Sequence, residues 1–246
     1  MWQALGKFRF DWKLTLMVLL MLPLLLRLGF WQLAREDEKR ALQEMYEARL
    51  AQVPESLEEA AERSDMQYLP VLIQGSYDNE RYFLLDNRIH RGRVGYEVIS
   101  PFTTVSGGVV FVNRGWIAAT GDRQQLPEPA AVNGVVTIDG LVHVPLGDAL
   151  ILGESEPGEG WPKVVQEVEV PMLARLWEVA EGGMLFPYSV RLGPQTAGVL
   201  ERNWTLISTS PEKHRGYAVQ WFAMALALVL LYGYYSCRHR EDDTGA

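Results

Sequence analysis

From Gly216 to Cys237 the sequence GYAVQWFAMALALVLLYGYYSC runs for 22 residues without a formal charge. A helix needs about 20 apolar residues to cross the hydrocarbon core of a bilayer. Tyr217 and Trp221 stand at one end of the run, and Tyr232, Tyr234 and Tyr235 at the other. Amphipathic rings favour both membrane interfaces, so the segment reads as a membrane span with an aromatic belt at each edge. A second apolar stretch, Leu14–Leu26, lies near the other end, contains Pro23, and resumes after Arg27 as Leu28–Leu33. An arginine near a span end can extend its stem and reach the interface. A cleaved leader would need small residues at positions −1 and −3 of the cut; RLGFWQLARE offers Ala34 but has Gln32 two residues earlier.

Basic residues flanking the spans set the orientation. Lys7, Arg9 and Lys13 precede the first, and Arg238 and Arg240 follow the second. Both ends are therefore expected on the cytoplasmic (or matrix) side. The expected organisation is a cytoplasmic arm at 1–12, a first span at 13–33, an extracytoplasmic domain at 34–215, a second span at 216–237 and a cytoplasmic tail at 238–246.

The domain is acidic. Setting aside six basic and four acidic residues of the termini and spans leaves 17 basic and 27 acidic residues between Ala34 and Gly216, a net of −10. Such a surface repels phosphate backbones, which argues against nucleic-acid partners. The single cysteine, Cys237, excludes an intrachain disulfide framework and thiol catalysis in the domain. His90, His143, His214 and His239 have no mutual chelating spacing. No Walker loop, GxSxG elbow or HExxH motif occurs, so a membrane-tethered hydrolase would lack a recognisable nucleophile–base pair.

Residues Arg35–Arg49 read as a helix continuing from the first span, and Glu55–Arg63 and Pro171–Ala180 as short helices. Between them lie short β-rich segments: Tyr68–Gln74, Arg81–Asp86, Tyr96–Phe102, Val109–Asn113, Val135–Val144, Ser189–Leu192 and Trp204–Thr209. Gly153–Gly160 reads as a mobile acidic loop. The expected fold class is a membrane α+β protein, with two transmembrane helices flanking a mainly antiparallel β domain, barrel-like or sandwich, with a few short helices.

Ser210-Pro211-Glu212 is a good helix start, which begins the second helix about a turn before the bilayer. His214, Tyr217 and Trp221 then fall at i, i+3 and i+7. With Lys213 and Arg215 alongside, this places an imidazole above two rings at the outer interface. The set suits a flat, amphipathic ligand with anionic edges, such as a haem. It equally suits an ordinary interfacial histidine beside snorkelling cations.

Three stretches carry a resemblance. One is Leu28-Gly29-Phe30-Trp31-Gln32-Leu33-Ala34-Arg35 with Lys39. The next is Gly95-Tyr96-Glu97-Val98-Ile99-Ser100-Pro101-Phe102 followed by Val112-Asn113-Arg114-Gly115-Trp116. The last is Pro211 through Phe222, PEKHRGYAVQWF. In this order and topology the chain resembles the Surfeit locus protein one family, assembly factors for haem-copper cytochrome oxidase, over about Leu14 to Tyr235. Arg27 is unusual for that pattern, and Pro145–Lys163 matches none of its motifs. The resemblance implies a non-enzymatic chaperone in the bacterial inner membrane, with its domain in the periplasm, or in the mitochondrial inner membrane. It implies delivery of haem a to oxidase subunit I, with haem A synthase as a further partner. It assigns the haem iron to His214, with Tyr217, Trp221, Trp31 and Arg35 around the cofactor. The alternative is a scaffold that holds oxidase subunits or the haem-synthesis enzyme without binding haem. Asn113–Trp116 reads either as a strand end plugging the domain or as a partner contact.

Overall fold

The computed structural model describes residues 11–121, 125–145, 158, 160–179, 183–204 and 210–238. The chain divides into a helical unit, drawn from its two ends, and a β unit spanning Tyr46–Thr205.

Two helices make the first unit: α1, Trp12–Leu50, and α4, Pro211–Arg238. The expected first span and the helix predicted at Arg35–Arg49 are one unbroken element, which runs past Pro23. Both helices are long and apolar enough to cross a membrane, with mean hydropathy of 2.0 and 1.5 over their most apolar windows. Only 11% of either window is buried, whereas the core helix of a soluble domain would be mostly buried. The protected residues follow a narrow stripe. On α1 it includes Thr15, Val18, Leu22, Leu25, Gly29, Gln32 and Glu36, and on α4 Pro211, His214, Ala218, Trp221, Ala225, Leu228 and Tyr232; Leu14, Leu28, Leu33, Phe222, Gly233 and Ser236 at its margins are covered too. Alternating steps of three and four keep one seam facing a partner, the geometry of helices packed about 20° off antiparallel. Small side chains bring the backbones together: Ala218 and Ala225 are 1% and 3% exposed, and a Cβ on Gly29 would lie 2.6 Å from the Phe222 ring. Leu19 and Leu230, off the seam, are 64% and 62% exposed.

The β unit contains α2 (Leu57–Ala61), β1 (Pro70–Tyr77), β2 (Phe83–His90), β3 (Arg93–Thr104), β4 (Val109–Ala118), β5 (Val136–His143), β6 (Lys163–Val165), α3 (Val170–Trp177) and β7 (Ser189–Leu192). Strand order is β1-β5-β7-β4-β3-β2-β6, with a further β1–β3 pairing. That extra pairing closes β1, β5, β7, β4 and β3 into a five-stranded barrel and leaves β2 and β6 as a flap on β3. Of the two architectures expected, the barrel is the one formed. It is mainly antiparallel; β4–β7 and β2–β6 are the parallel pairs. β6 had no counterpart among the expected strands, and most of Trp204–Thr209 and of Gly153–Gly160 lies outside the described residues.

Side chains alternate between two cores. Val71, Ile73, Phe102, Val110, Val112, Ile138, Val142 and Val190 fill the barrel. Phe83, Ile99 and Phe111 point the other way and are covered by Val170, Leu173 and Ala174 of α3. Because β4 is covered on both faces, its first half, Val109–Val112, reads as an apolar run rather than an alternation.

The Asn113–Trp116 stretch settles as barrel structure. Val98 pairs with Gly115 and Ile99 with Asn113, so Arg114 is the extra residue of a bulge. Its side chain is 2% exposed. Nε donates to Gly198 O at 2.8 Å and an Nη to Ala130 O at 2.7 Å, while the guanidinium lies 5.1 Å from the Tyr77 ring centre. Burial pulls the Arg114 pKa down and pushes that of Tyr77 up. Gly115 has φ 116°, and a Cβ there would lie 2.7 Å from Glu201 O. Trp116 is 3% exposed and donates through Nε1 to Arg88 O at 3.0 Å.

Replacing Arg114 by Leu strands both carbonyls and is expected to cost about 2–4 kcal/mol of stability. Gly115→Ala is expected to cost about 1–3 kcal/mol, because the left-handed backbone and the Glu201 carbonyl leave no place for a methyl group. Denaturant unfolding of the full chain in detergent micelles measures both, and wild-type midpoints would contradict the bulge account.

Candidate functional site

The polar end of the helix seam gathers the nominated residues. α4 begins at Pro211, with Glu212 in its first turn, as the Ser210-Pro211-Glu212 signal predicts. One turn in, His214 is half-buried against α1, and its Nδ1 lies 2.8 Å from Gln32 Oε1. A carboxamide oxygen only accepts. In the neutral imidazole this contact puts the proton on Nδ1 and the lone pair on Nε2. An imidazole whose second nitrogen is tied down this way has the arrangement common to metal-bound histidines, in which the outer hydrogen bond fixes tautomer and ring orientation.

The predicted i, i+3, i+7 face is divided by the packing. His214 and Trp221 lie in the seam and are partly covered, whereas Tyr217 is 50% exposed beside it. On α1, Trp31 is 50% exposed. Arg35 stacks its guanidinium 5.9 Å from the Trp31 ring centre and pairs with Glu38 at 2.6 Å. The contacts thus form two groups: His214 with Gln32, and Arg35 with Trp31 and Glu38. Lys213 and Arg215 are exposed on either side of His214.

Two residues in this region were not singled out from the sequence. Gln32 lies inside the LGFWQLAR stretch, and counting the 3–4 stripe along α1 from Val18 leads to it. The same count reaches Glu36, which is 5% exposed and pairs with Arg40 at 2.5 Å. At the opposite end of the seam, Thr15 Oγ1 and Tyr232 Oη lie 2.8 Å apart. At 1.5 Å rise per residue, Thr15 and Gln32 are roughly 25 Å apart along α1. The two cross-helix hydrogen bonds therefore bracket an apolar stretch close to the thickness of a hydrocarbon core.

The donor set fits a single axial nitrogen rather than a polydentate metal site. Among the described residues no group of three or more His, Cys, Asp or Glu could hold a metal ion. His214 with a free Nε2, two half-exposed rings and nearby cations match what a macrocycle with anionic edges requires.

A family model described as the SURF1 family matches residues 19–226. A SURF1-like protein of Rickettsia felis is 25% identical over 239 aligned residues, which cover 91% of this chain and 96% of that protein. One from Rickettsia conorii is 24% identical and covers 94% of each. A SURF1-like protein of Dictyostelium discoideum is 30% identical over 103 residues, 38% of each chain.

Histidine-selective 15N NMR of the micelle-embedded protein is expected to show His214 as the Nδ1–H tautomer at neutral pH. Gln32→Leu should release it to a tautomer mixture and cost about 0.5–1.5 kcal/mol of stability. An unchanged His214 signal in Gln32→Leu would show that the hydrogen bond does not set the tautomer.

Proposed function

The chain belongs to the SURF1 family, and from that premise we propose that it is a non-enzymatic assembly factor for haem-copper cytochrome oxidase, holding haem a at the outer end of its helix pair for transfer to subunit I. The observation that carries this reading is the His214–Gln32 hydrogen bond. It commits Nδ1 as a donor and leaves a basic Nε2 in a part-covered position on a span. Haem would supply an iron that accepts the Nε2 lone pair. Gln32 holds the ring so that this lone pair keeps one direction. Trp31 and Tyr217 offer half-exposed aromatic surface, and Lys213, Arg215 and Arg35 offer cations for carboxylate edges.

The positive-inside pattern supports placing both termini in the cytoplasm and the barrel in the periplasm of a bacterial inner membrane. In a mitochondrion the same pattern places the barrel in the intermembrane space. In this reading haem A synthase is the donor side of the transfer and subunit I the acceptor side.

A scaffold without haem is the second reading. It is favoured by the Arg35–Trp31–Glu38 group, which is already mutually satisfied and half-exposed. Such a group suits the rim of a protein contact as well as a propionate.

Absorbance of the full chain purified from cells that make haem a separates the two. The haem reading expects a Soret band in the parent protein, its loss in His214→Ala, and a shifted band in Gln32→Leu. Equal haem and an equal spectrum in His214→Ala would exclude His214 as the ligand. A colourless parent that co-purifies with subunit I would establish the scaffold.

A further inference from the structure

The β unit holds a second polar centre. On the outer side of the barrel wall, a cavity of ≈ 390 Å³ lies over β5, β7, β4, β3 and β2, bounded by residues 166–169 that lead into α3. Strand alternation explains its character. Val112, Val142 and Val190 point into the barrel core. Their neighbours Asn113, His143 and Arg191 therefore point outward and line the cavity. Arg88 and Glu97 line it from β2 and β3.

The donors here are unspent. Arg88 Nε, Arg191 Nε and His143 Nδ1 are sealed from solvent, and among the described residues none of them has a hydrogen-bond partner. The one buried carboxylate is committed: Glu97 accepts from Asn113 Nδ2 at 2.6 Å and stands 3.8 Å from Arg88 Nε. Its charge acts on both guanidinium groups, Arg88 and Arg191, so one carboxylate faces two cations. Arg191 is left with the Trp204 ring at 5.8 Å and, among the described residues, no salt bridge. Glu167 and Glu169 also line the cavity, but Glu169 is exposed and Glu167 partly so, and water screens both. Burial lowers the Arg191 pKa, and burial with Arg191 nearby holds that of His143 down at about 4. The imidazole is therefore neutral at pH 7, and two guanidinium groups against one buried carboxylate leave the cavity a net positive charge. A withdrawn guanidinium without an acceptor carries a desolvation cost that only an anion or a strong acceptor offsets.

We propose that this cavity is a binding site for an oxyanion, a carboxylate or phosphate group, held between the Arg88 and Arg191 side chains beside His143. A cation would meet two guanidinium groups. A neutral ligand would leave the net positive charge of the two guanidinium groups and Glu97 unbalanced. Carboxylate and phosphate oxygens match the paired N–H geometry of arginine.

The test is calorimetric titration of the full chain in detergent micelles at pH 7, in chloride buffer, with acetate and with inorganic phosphate. The site expects saturable binding of at least one ion over the chloride background, weakened at least about tenfold in Arg191→Gln. Preference for acetate identifies a carboxylate-bearing ligand, and preference for phosphate a phosphate-bearing one. In the second case, phosphatidylglycerol added to the micelles displaces free phosphate if a lipid headgroup is the source, and leaves it bound if the source is soluble. Should thermal unfolding show that Arg191→Gln does not fold, Arg88→Gln takes its place and must show the same weakening. No saturable binding by either ion, or unchanged binding in the folded variant, overturns the proposal.

Discussion

One twelve-residue strand, β3, closes the β unit. Most of its length, from Gly95 to Thr103, pairs with β4 on one side. On the other side its first half pairs with β2 and its last residues, Phe102–Thr104, with β1. The second of these pairings removes the open edges that a sheet of this size would otherwise expose. The first leaves β2 outside the ring, and with it a wall whose outer face needs its own cover. Helix α3 supplies that cover over Phe83, Ile99 and Phe111. Beyond its start lies the polar cavity of Arg88, Glu97 and Arg191. Barrel closure and the cavity thus have a common origin in a strand too long to be used by the ring alone.

The helical unit obeys a different constraint. Between two apolar helices in lipid, burial of hydrocarbon gives little net drive, so close backbone approach and a few hydrogen bonds hold the pair together. Gly29, Ala218 and Ala225 supply the approach. The bonds lie at the two ends of the seam, Thr15 with Tyr232 and Gln32 with His214. His214 therefore serves packing and ligand chemistry at once. Its ring orientation is set by the register of the helix pair, and any change in that register alters the nitrogen it presents. Tyr217, one turn on but outside the stripe, carries no such constraint.

How much could be read in advance follows from the range of the forces involved. The helices were legible because an uncharged run of 22 residues and its aromatic flanks are local features. Strands β1 to β5 and β7 were found within a few residues, since Gly, Pro, Asn and Asp punctuate them. Strand β6 is three residues long and carries no periodicity of its own. The Tyr96–Ser100 stretch of β3 alternates only partly, so its faces could not be assigned; the strand is buried over most of its length. Gln32 was within a quoted motif but became distinguishable only through the 3–4 stripe. The Arg88, His143 and Arg191 grouping left no trace in the sequence, because strand register alone brings those positions together.

Two arginines of the same β unit, Arg114 buried and Arg191 half-buried, show how a structural role differs from a binding role. Arg114 is the more enclosed, yet its donors reach the Gly198 and Ala130 carbonyls and its face meets Tyr77. The bulge in β4 exists at a position where those acceptors are available, and the residue ties two loop segments to the barrel. Arg191 lies on the neighbouring strand, paired through Asn113, and its Nε has no acceptor among the described residues. Buried polar groups in folded proteins are satisfied with few exceptions, and each exception needs a reason. The same barrel satisfies one guanidinium with backbone oxygens, so the fold does not lack the means. The open valence at Arg191 faces a cavity rather than a packed wall, and a site that waits for an external acceptor has that form.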